Sequence, residues 1–381
     1  MAYVYLDHNA TTPLDQRVLE AMLPYMREQY GNASSRHELG TRARQGVDTA
    51  REQLAALVNV QPSQVVFVSG GTEANNLFIK GAAGYLKPSQ IAVSAIEHPC
   101  VAQPADDLVR AGWTVRKLAV SAEGQVDLED VAAALKTSTG IVSVMLANNE
   151  TGVIQPVAAI AGLARAARAW VHTDAVQALG KVEVDFQALN VHAMTISAHK
   201  IYGPKGVGAL VVDKRLELRP LIAGGGHEQG MRSGTENVAA IVGFGAAAEL
   251  AESRRAESAE RLAALRVRLE AGLHALDAVI FGGQAARLPN TTYFACPHID
   301  GETLVIELDK LGYAVAAGSA CSSTSTEPSA TLLAMGVEPE LARGAVRLSL
   351  GGQNTVEDVD GFLHAVQSLA RKLKGMTAMA V

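Results

Sequence analysis

Short apolar runs alternate with longer stretches of helical spacing between about residue 65 and residue 212. The runs that we expect to be buried strands are residues 65–69, 91–94, 114–118, 141–146, 170–173, 194–197 and 208–212. Between most of them lie stretches rich in alanine and leucine, such as residues 128–135 and 157–169. Strands that alternate with helices predict an α/β fold, with a mostly parallel central sheet and helices on both faces.

The C-terminal part of the chain has a different pattern. Residues 247–276 are rich in Ala, Leu, Glu and Arg, which predicts one long helix or two abutting helices. Strands are expected at residues 290–295 and 345–350, and an amphipathic helix with a capping-box-like start is expected at residues 355–374.

These patterns predict two domains. We expect a large domain of residues 14–255 and a smaller α+β domain of residues 1–13 and 256–381. Within the smaller domain, residues 317–329 are small and polar with almost no apolar anchor. Such a segment is typical of an exposed, mobile loop.

Polar clusters follow five of the predicted strands. They comprise residues 69–76, residues 97–99, residues 147–150, Asp174 with Gln177, and His199 with Lys200. In open sheets of this kind, ligands bind beyond the carboxyl ends of the strands. We therefore expect the five clusters to meet at one edge of the sheet and to form the functional site.

An amine and a carboxylate stand out among these residues. Lys200 and Asp174 each follow a predicted buried strand, whereas most lysines are solvated surface groups and an aspartate can simply cap a helix. Pyridoxal phosphate (PLP) requires this pair, because a lysine forms the Schiff base and an acid keeps the pyridine nitrogen protonated. The sequence therefore predicts PLP as the cofactor.

A phosphate site is expected where Gly71 and Thr72 lead from a strand into a helix. Free amide groups and the helix dipole bind phosphate at such a position, although a plain N-cap threonine would have the same geometry. Ser197 and His199 would add donors to the phosphate.

Composition narrows the class of protein. The 381 residues include 48% hydrophobic and 19% charged residues, and the net charge of −6 argues against binding to nucleic acid or to anionic lipid. No secretory signal and no run of about 18 apolar residues is present, so we expect a cytoplasmic protein without a membrane span. The widely spaced Cys100, Cys296 and Cys321 form neither a disulfide framework nor a zinc set, and no intrinsic metal is expected. Cys100 and Cys296 are expected to be core residues, whereas Cys321 lies in the polar segment.

The chain resembles the cysteine desulfurases of the NifS/IscS type, within the fold-type I PLP-dependent transferases. Matching strings include Ser197-Ala-His-Lys-Ile-Tyr-Gly-Pro-Lys-Gly206 and Gly318-Ser-Ala-Cys321. The others are residues 6–13, 31–35, 69–73, 97–99, 147–152, 172–177, 231–236 and 346–350, in the order of the family.

The resemblance implies a reaction and its partners. L-Cysteine would be converted to L-alanine, and its sulfur would remain as a persulfide on Cys321. The persulfide would pass to an acceptor protein such as an iron–sulfur cluster scaffold, where Cys321 could serve as a transient cluster ligand. Thr235 corresponds to a residue that reaches the cofactor phosphate of the other subunit, which implies a homodimer.

The resemblance also assigns roles to residues that pattern alone leaves ambiguous. His98, which could be an ordinary core histidine, would stack on the cofactor ring and carry protons. Gln177 and Asn149 would contact the ring oxygen or fix the tilt of the ring. Arg347, which could instead form a structural salt bridge, would bind the substrate carboxylate with help from Asn32.

Two alternatives remain from the sequence. One is another PLP reaction on the same fold, such as a selenocysteine lyase, an aminotransferase or a kynureninase-like hydrolase. The other is a non-catalytic sulfur-carrier or scaffold-binding protein that has kept the fold.

Overall fold

A computed structural model of the protein describes residues 3–317 and 327–379. The first strand, β1 (Val4–Tyr5), lies outside the central sheet. The central sheet consists of β2 (Val65–Val68), β3 (Gln90–Ser94), β4 (Thr114–Leu118), β5 (Thr139–Ser143), β6 (Trp170–Asp174), β7 (Ala193–Ser197) and β8 (Gly208–Val212). Each of the seven apolar runs thus contains or overlaps a strand of this one sheet.

The sheet is mostly parallel, as predicted. The strand order is β2-β8-β7-β6-β5-β3-β4, and only β8 runs antiparallel to its neighbours β2 and β7. The run at residues 141–146 is displaced, because β5 begins at Thr139 and ends at Ser143. Beyond β5, the amides of Val144 and Leu146 still donate to the carbonyl oxygens of His172 and Asp174, so the chain continues beside β6.

Helices cover both faces of the sheet. The helices are α1 (Gln16–Arg27), α2 (Glu38–Leu57), α3 (Gly71–Tyr85), α4 (Pro99–Asp107), α5 (Leu128–Ala134), α6 (Val157–Ala166), α7 (Phe186–Leu189), α8 (Val238–His274), α9 (Gly301–Lys310), α10 (Ala330–Ala334), α11 (Pro339–Arg343) and α12 (Val356–Met379). Side chains alternate between the faces of a strand. Val65 and Phe67 of β2 accordingly join a core with α2, α6 and α8, whereas Val66 and Val68 join a separate core with α3 and α4.

A second, antiparallel sheet lies in the C-terminal part of the chain. Its strand order is β12-β13-β10-β9. The strands of this part are β9 (Val279–Ile280), β10 (Thr291–Ala295), β11 (Tyr313–Ala314), β12 (Ala316–Ala317) and β13 (Ala345–Ser349). Phe294 of β10 and Phe362 of α12 share a core with the N-terminal Leu6, and β1 pairs with β11. The predicted combination of an α/β layer with a smaller α+β part is confirmed.

Helix α8 connects the two cores. It is one helix of 37 residues and begins at Val238, before the predicted start of the helical pattern at residue 247. Residues 240–248 of this helix contribute to the core of the large sheet, and Leu262, Leu265, Leu269 and Leu273 contribute to the smaller core. The domain boundary near Arg255 would fall inside α8 and stays a prediction, as do the ranges 14–255 and 1–13 with 256–381.

Two further observations concern the chain as a whole. The predicted loop at residues 317–329 includes residues 318–326, and Cys321 among them, which lie outside the described residues. Within residues 3–317 and 327–379, we find no helix with the length and hydrophobicity that a membrane crossing requires.

Candidate active site

The polar clusters meet at the carboxyl edge of the central sheet. Asn75 lies in α3, which follows β2, and Asp174 is the last residue of β6. The side-chain amide of Asn75 donates to Oδ2 of Asp174 at 2.7 Å, although the two residues are 99 positions apart. The helix that follows β2 is therefore in direct contact with the end of β6.

A cavity of about 370 Å³ opens at the start of α3. It is lined by residues Ala10, Thr11, Ser69, Gly70, Gly71, Thr72, Glu73, Ser197, His199, Lys205 and Gly206. The hydroxyl of Ser197 is buried and has no hydrogen-bond partner among the described residues. A buried polar atom without a partner is costly in a native protein, which indicates that a ligand or water satisfies it.

The first turn of α3 provides the electrostatics of this cavity. The helix has 15 residues, so the free amides of its first turn carry a partial positive charge. Glu73, which lies in that turn, accepts from the amide of Ser69 at 2.8 Å and pairs with Arg232 at 3.0 Å. The carboxylate is therefore engaged, and the amides, Thr72 and Ser197 form a set of donors suited to a phosphate group.

Asp174 is positioned as the partner of a protonated ring nitrogen. Its side chain is buried, and it accepts from the amide of Val176 at 2.9 Å and from Asn75 at 2.7 Å. Each carboxylate oxygen still has a free lone pair, and a buried anion stabilises a cationic N–H group beside it. Ser197 and Asp174 together fit the two ends of PLP, which are its phosphate and its pyridinium nitrogen.

His98 caps helix α4 at its N-terminus. Its Nδ1 accepts the amide hydrogen of Cys100 at 3.2 Å and lies 2.8 Å from the Cys100 sulfur. Burial lowers the pKa of His98, the negative charge of Asp174 opposes that shift, and Lys200 adds to it. The ring is therefore expected to be neutral at neutral pH, with its hydrogen on Nε2.

The predicted core position of Cys100 is wrong, whereas Cys296 is buried as expected. Cys100 is half-buried, and its sulfur lies 3.0 Å from the Asn75 amide nitrogen. Burial and then the charge of Asp174 raise the pKa of the Cys100 thiol to about 12. The thiol therefore stays protonated beside the candidate site, unlike the thiolate that nucleophilic chemistry requires.

Lys200 ends the short turn that follows β7. Its amine donates to the carbonyl oxygens of Asn9 at 2.5 Å and of Ala10 at 2.7 Å. His199, the preceding residue, contacts the hydroxyl of Thr11 at 3.2 Å. Burial, followed by the charges of Lys200 and Lys205, lowers the pKa of His199 to about 4, so this imidazole is neutral.

Gln177 and Asn149 are joined to the N-terminal segment through Asn9. The amide nitrogen of Gln177 donates to the carbonyl oxygen of Asn9 at 2.9 Å, and its side-chain oxygen accepts from Lys181 at 2.8 Å. The backbone oxygen of Asn149 accepts from the Asn9 side chain at 3.2 Å. The contacts predicted between these two side chains and a cofactor ring stay predictions.

Arg347 lies in β13 with its side chain buried. One guanidinium nitrogen donates to Asp7 at 2.7 Å, another donates to the backbone of Asn149 at 3.2 Å, and Nε has no partner among the described residues. The salt bridge that the sequence left open as an alternative is thus present. The remaining Nε donor is still available for a carboxylate.

Two predicted residues are not joined to the others by any contact found in the described part of the chain. Asn32 is exposed, and its side-chain oxygen accepts from the amide of Ser34 at 2.8 Å. Thr235 is also exposed. The roles of Asn32 at the substrate and of Thr235 in a partner subunit stay predictions.

Three contributors escaped the sequence reasoning, namely Asn9, Asn75 and Lys181. Asn9 and Asn75 lie within residues 6–13 and 69–76, but an asparagine at either position predicts no particular role. Lys181 follows Gln177 by four positions and makes contact with it. A lysine next to an apolar run is a signal that could have found it, because an amine there needs a partner.

Comparison with known proteins reveals similarity along the whole chain. A model of the family described as aminotransferase class-V matches residues 4–362. A cysteine desulfurase IscS of Anaeromyxobacter sp. (strain Fw109-5) is 45% identical over 384 residues, which cover 99% of this chain and 94% of that protein. A cysteine desulfurase IscS 1 of Archaeoglobus fulgidus is 43% identical over 378 residues, which cover 98% of this chain and 99% of that protein.

Solved structures give the same result. A NifS-like protein has a TM-score of 0.92 and 39% sequence identity, and the match covers 97% of this chain and 99% of that chain. A NifS-like protein from Rickettsia africae has a TM-score of 0.89 and 35% sequence identity, and this match also covers 97% of this chain and 99% of that chain. The similarity thus extends over both sheets and over the whole candidate site.

Proposed function

The chain belongs to the cysteine desulfurases of the NifS/IscS type within the class-V aminotransferase family, and we propose that it converts L-cysteine to L-alanine with PLP and retains the sulfur as a persulfide on Cys321. The observation that carries the proposal is the arrangement at the sheet edge. The unpartnered Ser197 hydroxyl, the buried Asp174 carboxylate and the Lys200 amine all lie at the carboxyl ends of neighbouring strands.

Each of these residues has a task. Gly71, Thr72, Ser197 and His199 would bind the phosphate, and Asp174 would accept a hydrogen bond from the protonated ring nitrogen. Lys200 would hold the cofactor aldehyde and, as a free amine, would remove the proton from Cα and return it. Bound PLP supplies the electron sink that lets the Cα–H bond and then the Cβ–S bond break.

His98 and the substrate-binding residues complete the site. The neutral imidazole of His98 can face a cofactor ring and carry a proton at Nε2. Nε of Arg347 donates to the substrate carboxylate, with Asn32 as the second group. Gln177 and Asn149 set the position of the ring.

Sulfur transfer requires Cys321. Its thiolate attacks the substrate sulfur, an S–S bond forms, and the electrons of the Cβ–S bond remain on carbon, which is protonated to give alanine. Cys321 lies outside the described residues, so this assignment rests on the match of its sequence string to the family. The persulfide then passes to an acceptor, which we propose to be an iron–sulfur cluster scaffold protein.

Replacement of Cys321 by Ala tests the proposal. The wild-type protein should form alanine and sulfide in equal amounts from L-cysteine and a reducing thiol. Cys321→Ala should lose both products and keep the visible absorbance of bound PLP. Cys296→Ala, which removes a buried thiol elsewhere, is the matched control and should keep activity.

Two results would contradict it. Full turnover by Cys321→Ala would show that Cys321 is not the nucleophile. Alanine consumption with transfer of its amino group, without sulfide, would identify an aminotransferase instead.

The proposed homodimer is tested separately. Sedimentation of the loaded protein should give twice the 39.9 kDa mass of the chain. Thr235→Ala should weaken PLP binding, by roughly tenfold if its hydroxyl contacts the phosphate of the partner's site. A monomer with full activity would rule out shared sites.

A further inference from the structure

Glu150 connects the chain between β5 and α6 to the N-terminus of α10. One oxygen of its carboxyl group accepts a hydrogen bond from the Ser329 hydroxyl, and the other accepts one from the Thr331 hydroxyl at 3.1 Å. Glu150 is half-buried, whereas Ser329 and Thr331 are buried. Ser329 is also the N-cap of α10, because its hydroxyl oxygen accepts from the amide of Leu332 at 3.2 Å. Both oxygens of Glu150 are thus bonded to the start of one short helix.

The body of α10 is held by separate, apolar contacts. Leu332 shares a small core with Phe281 and Tyr293, and Met335, which directly follows α10, belongs to the same core. The side chain of Met335 also lies against Gly124, between β4 and α5. These contacts do not involve Glu150. We therefore expect α10 to stay folded and docked when Glu150 is replaced, and only its first turn to lose its attachment.

The first turn of α10 lies close in sequence to Cys321. Ser329 is eight positions after Cys321, and residues 318–326 lie outside the described part of the chain. Before these residues, Ala316 of β12 pairs with Arg347 of β13. After them, the described chain returns to Glu150, whose neighbour Asn149 accepts from Arg347 at 3.2 Å through its backbone oxygen. Both attachment points therefore lie beside the residue that we propose for the substrate carboxylate.

An attachment point limits how a nucleophile can reach its target. A chain segment spans at most about 3.3–3.6 Å per residue, so the position of Ser329 restricts the positions that are open to Cys321. Reacting atoms must approach to about 3–3.5 Å, and a misplacement of about 1 Å can lower a rate on the order of 100-fold.

We propose that Glu150 is a positioning residue for sulfur transfer, which fixes the first turn of α10 beside Arg347 and thereby favours the approach of Cys321 to the substrate sulfur. The inference rests on the proposed role of Cys321 as the nucleophile. Glu150 acts through Ser329 and Thr331 and needs no contact with substrate or cofactor. The step that it assists is the attack of the Cys321 thiolate on the substrate sulfur, in which an S–S bond forms and the electrons of the Cβ–S bond remain on carbon.

The test compares two reactions of the PLP-loaded, full-length protein. Exchange of the Cα hydrogen of L-alanine with deuterium needs the cofactor site but no thiol nucleophile. A single turnover of L-cysteine leaves a persulfide on Cys321, which mass spectrometry of the intact protein and its peptides counts. Glu150→Ala should lower the rate of persulfide formation about tenfold and leave the exchange rate within about twofold of the wild-type value. Glu150→Gln keeps an oxygen acceptor for the hydroxyl groups and should restore most of the lost rate.

Ser329→Ala removes the same contact from its other side. It should also lower persulfide formation without lowering exchange, which covers the case in which Glu150→Ala folds poorly. Because the two side chains act through one contact, the double variant should lose no more than the larger of the two single effects.

Glu123→Ala is the matched control. The carboxylate of Glu123 also joins the chain between β4 and α5 to the C-terminal part, since it accepts from the amide of Gln284 at 3.0 Å. Gln284 is distant from Cys321 in the sequence, so Glu123→Ala should keep both rates.

The outcomes separate this inference from the proposed function. If Glu150→Ala loses exchange and persulfide formation equally, Glu150 acts on the cofactor site or on folding, and the inference is wrong. It is also wrong if both rates are unchanged, or if the effects of Glu150→Ala and Ser329→Ala simply add. A wild-type protein that forms no persulfide on Cys321 would contradict the proposed function instead.

Discussion

Two walls of the candidate site use their polar groups in opposite ways. The sheet wall consists of Thr72, Glu97, Asp174, Ser197 and His199, at the ends of the central strands. It contains buried oxygens without partners among the described residues, namely Oγ of Ser197 and Oε2 of Glu97. The sheet wall is therefore prepared for a ligand that is bound after folding.

The N-terminal wall consists of Asp7, Asn9, Asn149, Thr291 and Arg347. Here the polar groups satisfy one another across hundreds of positions of sequence, as between Asn9 and Thr291 and between Asp7 and Arg347. The exception is Nε of Arg347, which we propose for the substrate carboxylate. Within these two walls, we take the unpartnered atoms as positions for ligand contacts and the saturated network around Asn9 as a structural joint.

Loss of Asp174 should give the largest effect. Asp174→Ala removes the only charge proposed for the ring nitrogen, so desulfuration of L-cysteine should fall by a factor on the order of 10³. Asp185→Ala, at the N-terminus of α7, is the matched control and should keep activity. Steady-state rates check this, and more than about a tenth of wild-type activity in Asp174→Ala would contradict the assignment.

Glu97 should make the stability of the sheet wall depend on pH. Burial raises its pKa from 4.5 to about 8. Between these pH values the folded protein keeps a proton that the unfolded chain has lost, so the free energy of unfolding falls as pH rises through this window. Glu97→Gln should not show this fall, and by pH 8 the wild-type protein should have lost on the order of 3 kcal/mol relative to the variant.

Thermal melts of both proteins at several pH values measure the difference. His172 provides an internal check, because burial lowers its pKa to about 3 and it destabilises both proteins as pH falls below about 6.5. A difference between the two proteins that stays flat from pH 5 to pH 8 would mean that Glu97 is ionised throughout.

Arg347→Lys probes the exception in the N-terminal wall. Lysine keeps the charge and loses the fork of donors that a carboxylate and Asp7 can share. The KM for L-cysteine should rise about 10- to 100-fold, with a smaller change in kcat. Asp7→Asn is the control for the salt bridge alone, and an unchanged KM in Arg347→Lys would make the residue purely structural.

Ser197→Ala and Asn9→Ala compare the two walls by changing one side chain in each. Ser197→Ala should weaken PLP binding by about tenfold and leave the melting temperature of the cofactor-free protein unchanged, since its hydroxyl has no protein partner to lose. Asn9→Ala should destabilise the cofactor-free protein by about 2–3 kcal/mol, because it leaves several buried polar groups without a hydrogen-bond partner. Equal melting temperatures for the two variants would contradict the proposed difference between the two walls.

The sheet wall could be predicted from sequence because each of its residues ends an apolar run or follows one within three positions. The end of each strand can be recognised from the local sequence, and in a parallel sheet the carboxyl ends of the strands lie along one edge. Lys200 and Asp174 follow from this rule without reference to any family. The same rule could not reveal that Cys100 faces the site, because a cysteine near a helix start has no periodic signal of burial.

The N-terminal wall could not be predicted in the same way. Asn9 reaches Asn149 and Thr291, which are 140 and 282 positions away. No spacing in the chain encodes such contacts, since they depend on how the two sheets and α8 pack. The family resemblance includes residues 6–13, but only the packing brings Asn9 into contact with both Lys181 and Lys200.

The proposed role of Lys200 is tested most directly by locating the bound cofactor on the chain. PLP-loaded protein is reduced with borohydride, digested with trypsin and analysed by mass spectrometry, with Lys181→Met and Lys200→Ala treated in parallel. The pyridoxyl group should be on Lys200 in the wild-type protein and in Lys181→Met, and it should be absent from Lys200→Ala. A stoichiometric pyridoxyl group on Lys181 or on any other residue would contradict it.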